Sequence, residues 1–430
     1  MSEKSLGGIL HLLLGRPSEP ASGQAYGTSR ETFFTGTREM LYKHVCPPTD
    51  EGLPDLVPVD PVGPADRVFD LSLMSRYNLA LPDEVAAMVG DDELPMWVIR
   101  NDLAGGVTYP SSTLRMIQGE MIHAHVTTAS DTHTIHWHGI EPTPMNDGVG
   151  KHSFEIIKPE GFTYQFQPNE AGTYFYHCHK NTTLHFEMGL FGALIVDPPA
   201  PPGSGGVTAP YNIGGPGYVA GRLTTDPPET SLIRYDVERI WVADDMDSRW
   251  HLPELHHNHN MQACNPDDPA NPNTFHVFGS TELDLNDFRP DIFAVSGAVL
   301  NVGAQNPQGV YEGVLADAGT KIYAEVNQTI LLRFLNASYT VQELTLPVNA
   351  TVIAWDGHPL GVGGFHRFSA PYVVPAGRPI RISTARRMDI ILDSSVPVNA
   401  LAHIRYYDWI RGVPGGLVAD VGIPVFIFIA

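Results

Sequence analysis

Short apolar runs set apart by turn residues make up the pattern of this chain. Stretches rich in β-branched and aromatic residues lie at 67–73 (RVFDLSL), 96–100, 114–117, 121–127, 163–167, 173–179 and 192–196, each bounded by Gly, Pro, Asn or Asp. Runs of this length with period-two or continuous apolar character predict β-strands. A second set follows at 238–243, 291–295, 330–335, 350–355, 379–383, 389–392 and 425–429. No stretch sustains the 3.6-residue period of a long amphipathic helix, so the expected class is all-β.

Between the two sets stands DPPAPPGSGGVTAPYNIGGPG, starting at Asp197, a Pro/Gly stretch that packs poorly and marks a boundary. Residues 1–65 are rich in Gly, Pro and charge with little periodicity, as in an irregular extension. The expected organisation is an extension (1–65), a first domain (66–198), a linker (199–229) and a second domain (230–430). A chain of 430 residues exceeds what one hydrophobic core normally organises, which supports the division.

Composition sharpens this in three ways. The 41 Gly and 37 Pro supply the turns that many short strands need. With 26 Lys+Arg against 48 Asp+Glu, the formal charge of −22 repels phosphate backbones and anionic membrane surfaces, so neither nucleic acid nor membrane is an expected partner. Only Cys46, Cys178 and Cys264 occur, allowing at most a single Cys46–Cys264 bridge and leaving Cys178 to be explained by chemistry. No apolar run reaches membrane-span length, and residues 6–14, interrupted by His11, make a poor signal peptide; a soluble protein is expected, its compartment unspecified.

The chemistry lies in 132–139 (THTIHWHG) and 172–192 (GTYFYHCHKNTTLHFEMGLFG). On a strand, alternate side chains point to opposite faces. Cys178 therefore faces one way while His177 and His179 face the other. His136 and His138 share a face by their spacing of two, and His133, an odd number away, can point with Cys178. His185 follows seven residues after the cysteine. His133, Cys178 and His185 make the two-imidazole, one-thiolate set of blue copper, with a weak axial position left over. Scattered core and surface histidines around a buried cysteine are the plain alternative. Seven donors with matching parity in two short segments disfavour it.

These segments resemble the copper-binding motifs of multicopper oxidases and, more distantly, of two-domain copper nitrite reductases. The resemblance implies two tandem cupredoxin-like Greek-key β-sandwich or barrel domains. It implies a type 1 copper on His133, Cys178 and His185, and type 2 and/or type 3 copper on His136, His138, His177 and His179. Family spacing places Leu190 at the axial position; Met188, a thioether two residues away, is the alternative. His136–Gly139 with Asp147-Gly148 resembles the HWHG and DG of laccase first domains, which implies a catalytic role for Asp147 beside the outer copper.

The second half resembles the copper-free middle domain of these oxidases in ILLRFLNAS and VIAWDGHPL. Aligned on the shared Ala-Ser, Val341, Leu344 and Leu346 stand where His133, His136 and His138 do, so no second blue site is expected. HLPELHHNHN reads as a solvated loop, His123 and His125 as exposed partners of acids, and His276, His358, His366 and His403 as isolated residues.

The implied function is a copper-dependent oxidoreductase. Electrons from a small-molecule or metal-ion reductant pass from the blue site to an outer copper that reduces oxygen or another small acceptor. A blue-copper electron carrier or copper-binding protein is the alternative, and a nitrite reductase a further one, although the position resembling the catalytic aspartate of such enzymes is His136 here. Two-domain relatives complete their outer site with neighbouring chains, which implies a homo-oligomer, in the nitrite-reductase case a trimer.

Overall fold

The computed structural model describes residues 63–128, 133–143, 146–149, 161–180, 182–199, 201, 215–223, 232–251, 288–362, 369–408 and 416–429. The expected N-terminal extension lies almost wholly outside the described residues. In the first half the strands are β1 (Arg67–Ala80), β2 (Glu93–Asn101), β3 (Ser111–Ile117), β4 (Ile122–Thr128), β5 (Ile135–His138), β6 (Phe162–Phe166), β7 (Gly172–Cys178) and β8 (Phe191–Asp197). They form two sheets, ordered β2-β1-β4-β6 and β3-β8-β7-β5. Leu71, Ile99, Met116, Trp137, Tyr164, Tyr176 and Leu194 belong to the core between them. Parallel β1–β4 and β3–β8 pairs within otherwise antiparallel sheets mark the long crossings of a Greek-key sandwich.

Two short helices interrupt the strands. Helix α1 (Asp83–Val89) starts behind Pro82 with acidic Asp83 and Glu84 in its first turn and stops at Gly90 in the left-handed conformation. Helix α2 (Thr182–Glu187) occupies the connection after Cys178.

The second half contains β9 (Gly217–Ala220), β10 (Leu232–Tyr235), β11 (Val237–Met246), β12 (Ile292–Val295), β13 (Ala298–Val299), β14 (Tyr311–Val314), β15 (Ile322–Glu325), β16 (Ile330–Asn336), β17 (Val341–Thr345), β18 (Ala350–Trp355), β19 (His358–Pro359), β20 (Tyr372–Val374), β21 (Pro379–Ile382), β22 (Arg387–Leu392), β23 (Val398–Asp408) and β24 (Gly416–Phe428). Two large sheets result, one running β13-β12-β11-β16-β22-β18-β19 and the other β14-β24-β23-β17-β21. Their shared core includes Trp241, Phe334, Leu344, Leu346, Ile390 and Tyr406. Strand β9 falls inside the stretch read as linker: it pairs with β10, and Val219 packs on Ile233, Leu331 and Ile353.

The halves meet over apolar and ionic surfaces. Phe175, Phe186 and Phe191 of the first share a cluster with Val242, Ile292 and Leu335 of the second. Beside it, Arg115 on β3 pairs with Asp197 at 2.9 Å and with Glu238 of β11 at 2.7 Å. Arg333 on β16 pairs with Glu238 at 2.7 Å and with Asp389 of β22 at 3.5 Å. All five are buried, so each charge is tolerable only because the others are present. Backbones touch too: a Cβ on Gly172 would lie 2.3 Å from the carbonyl oxygen of Gly357, so β7 approaches the second half as closely as two glycines permit.

Candidate metal centre

Antiparallel register across β5 and β7 sets Ile135 opposite Cys178, His136 opposite His177, Trp137 opposite Tyr176 and His138 opposite Phe175. The pleat then sends Cys178 into the sandwich core while His136, His138 and His177 share the other face.

On the core side, Nδ1 of His133 and Nδ1 of His185 lie 3.4 and 3.2 Å from Sγ of Cys178. The two imidazoles stack with centroids 4.7 Å apart, and Trp97 meets the His185 ring edge-on at 5.9 Å. All three donors are buried. His185 is presented by α2. Met188 and Leu190 are both fully buried in the same cluster as Cys178. The backbone beside them is tied down: Cys178 N–H donates to the Leu190 carbonyl and Trp97 N–H to that of Met188.

On the other side, donor atoms of His136, His138 and His177 lie within 4.8 Å of one another. His179 joins them, its ring 5.4 Å from His136 and 5.7 Å from His177. Nδ1–H of His177 donates to the Cys178 carbonyl at 2.9 Å, which leaves Nε2 as a lone-pair donor, 3.3 Å from Nδ1 of His138. His136 is oriented in the same way: its Nδ1 donates to the Asp147 carbonyl at 2.7 Å, with the Asp147 carboxylate 3.3 Å away. Such bonds fix which nitrogen faces a metal. Asp147 can approach because Gly148 has no side chain; a Cβ there would overlap the Ile135 carbonyl.

Burial first, and neighbouring positive charge after it, lowers His138 to about 2 and His177 to about 3, and lowers His179 as well. These imidazoles are neutral, as metal ligands must be. Soft thiolate with imidazole on one side and imidazole alone on the other suits copper, and in each group of three the donor atoms lie close enough together to share one ion.

Several expectations need correction. His123 is buried, and His125 bonds Thr163 at 3.0 Å, so neither is an exposed partner of acids. His251 is not on a solvated loop: it sits buried in a 3-10 turn, Nδ1 donating to the Pro95 carbonyl, with Nε2 3.4 Å from Glu187. The rest of HLPELHHNHN, with His276 and His366, lies outside the described residues. His358 pairs with Glu170 and His403 with Asp420, so neither is isolated. Val341, Leu344 and Leu346 lie on or just after β17, and the two leucines are buried in the second core. Among the described residues the second half has no cluster of metal-donor side chains.

Sequence inspection missed Phe175. Its ring stacks on His138 at 4.3 Å and on His177 at 5.1 Å. Its spacing of two from His177 was the available signal.

The fold is of the cupredoxin class, and its two donor sets are of the kind that suits copper. The family model for multicopper oxidases matches residues 101–201, which hold every one of the donors named above. An L-ascorbate oxidase of Cucumis sativus is 43% identical over 96 residues, 21% of this chain and 16% of that protein. Copper resistance protein A of Pseudomonas syringae pv. tomato is 37% identical over 94 residues, 21% of this chain and 15% of its own length. The chain thus spans about one sixth of these relatives. A blue copper oxidase from Nitrosomonas europaea shares the fold, with a TM-score of 0.50 and 21% identity over 84% of this chain and 85% of its own. Residues 101–201 thus resemble a multicopper oxidase domain, and the chain as a whole shares the fold of that blue copper oxidase.

Proposed function

We propose that the chain is a copper-dependent oxidoreductase. His133, Cys178 and His185 hold a blue type 1 copper, and His136, His138, His177 and His179 contribute to an outer copper site. The reading rests on one observation: Cys178 belongs to the inner donor set while its direct neighbours His177 and His179 belong to the outer one. Copper bound at both would take up single electrons from a reductant and deliver them to oxygen or another small acceptor. The protein supplies the covalent path from Sγ through the backbone to either imidazole. The packed core around Cys178 keeps water from the thiolate. Asp147 holds His136 in one tautomer, and its half-buried carboxylate, 3.3 Å from the ring, is placed to pass a proton at the outer site. The reductant is a small molecule or a metal ion. Neighbouring copies of the chain supply outer ligands not found among the described residues of the second domain, so the working form is a homo-oligomer.

The test is His138→Ala with His179→Ala. Both rings lie on the outer face, so the double variant keeps the blue absorption and loses oxygen consumption with any oxidisable substrate. A variant that keeps both colour and full turnover refutes the outer-site mechanism. A wild-type protein with one copper per chain and no turnover is an electron carrier.

A further inference from the structure

Among the described residues the second domain gives the first no metal ligand, yet it places a buried cation against the outer histidines. Arg387 opens β22, and its side chain is 3% exposed. Its guanidinium carbon stands 5.4 Å from the centroid of Phe175, the ring on which His138 and His177 both stack. Its donors are engaged by carbonyl oxygens: Ala385 at 2.8 Å, Asp356 at 3.0 Å and, on β7 itself, Thr173 at 3.5 Å. With its hydrogen bonds so directed, the group is a fixed charge and not an anion-binding arm. Asp356 is its nearest acidic neighbour, at 3.6 Å, and shares its charge with Arg386 at 2.6 Å. The outer motif is shaped around the guanidinium. Gly139, the glycine of HWHG, has φ +92, and a Cβ there would lie 2.4 Å from Nη2 of Arg387. A side chain at 139 is therefore excluded twice, by backbone conformation and by the arginine.

We propose that Arg387 is a positioning and tuning residue for the outer site. From the second domain it holds β7 and Phe175 against the histidines, and its charge favours the less positive oxidation state of copper bound there. A fixed cation in a water-poor site repels Cu(II) more than Cu(I). The outer site then becomes the better electron acceptor, and transfer from the Cys178 side runs downhill. The inference rests on the outer-site reading given above.

The experiment is a potentiometric titration of the full-length protein, loaded with copper alone and followed by the EPR signal of the outer copper. Arg387→Gln should lower the preference of that site for Cu(I) over Cu(II) on the order of tenfold, as expected for one unit charge at an intermediate effective dielectric. The blue absorption should stay unchanged. Arg387→Lys, which keeps the charge, should restore most of the preference. Asp356→Asn, which leaves Arg387 in place but removes its counter-charge, should shift the preference the opposite way and covers the case in which the glutamine variant does not fold. An unchanged preference in Arg387→Gln overturns the proposal, as does a lysine variant shifted as far as the glutamine one. A wild-type protein that takes up copper at the blue site alone overturns the outer-site reading itself, and this inference with it.

Discussion

The two domains carry chemically opposite residues in runs aligned through a shared Ala-Ser, and turn them to different faces of the sandwich. In the first, His133, His136 and His138 run into and along β5 beside Cys178 on β7. In the second, Val341, Leu344 and Leu346 occupy the corresponding run at β17, and the leucines fill a core. The difference shows that a sandwich of this kind does not need its metal site to stand. The leucines pack into the core of their own sandwich while His136 and His138 lie on the face away from theirs, so the outer donors of the first domain are not core filler. The second domain acts through packing and charge instead, pressing Arg387, Arg333 and the Gly357 turn against β7.

The sharpest break of this contrast is Cys178→Ser. The hydroxyl fits the space of the thiol, so the far-ultraviolet circular dichroism should match wild type. The visible thiolate-to-copper band should vanish. Retained colour would remove Cys178 from the blue site.

Next in size is the ionic contact between domains. Arg333→Met leaves Asp389 buried without its ion-pair partner and Glu238 with Arg115 alone, and losing one member of a buried pair costs about 3–5 kcal/mol. Denaturant unfolding should show a loss of that order. A change within about 0.5 kcal/mol, the range of an ordinary surface substitution, would mean that the network is not carried by Arg333.

The strands and the donor set were legible because both follow from short-range pattern. Each expected run overlaps an observed strand, and the parity of HCH and HxxHxH alone separated an inner from an outer face. What escaped was set by partners distant in sequence. Strand β17 was treated as an alignment target because its VQELT core mixes polar and apolar residues; Gln342 and Glu343 are buried beside other segments. His123 and His251 look like surface histidines until strands from elsewhere cover them. Arg387 carries no local motif at all, since only the fold brings β22 beside β7.

A smaller effect concerns pH. Burial lifts the Asp245 carboxyl, on β11, from 3.8 to about 7, against the lowering pull of its bonds from Thr340 and Tyr339. Between these values the unfolded chain has released this proton while the folded one keeps it. The stabilising contribution is complete below pH 3.8 and is lost as pH rises through 7. Asp245→Asn lacks this dependence. Its stability relative to wild type should therefore improve from pH 4 to pH 7, by at most about 1.4 kcal/mol per pH unit. A difference between the two proteins that stays constant across that range would place the Asp245 proton elsewhere.

The smallest effect lies within the proposed blue site, for which Met188 and Leu190 are the two candidate axial residues. Gly189 between them has φ +105, and a Cβ there would lie 2.8 Å from the Trp97 carbonyl, so the chain turns sharply between the two residues. Leu190 is bound on both sides into the donor set, its carbonyl accepting from Cys178 N–H and its own N–H donating to the His185 carbonyl, both at 2.9 Å. That tie and the family spacing point to Leu190 as the axial residue. Leu and Met are similar in volume, so exchanging them costs less than about 1.5 kcal/mol and leaves the fold intact. Leu190→Met would then add a weak thioether ligand, lowering the reduction potential of the blue site and altering its EPR pattern, whereas Met188→Leu would change neither. The reverse outcome, a silent Leu190→Met with a raised potential in Met188→Leu, assigns the axial position to Met188.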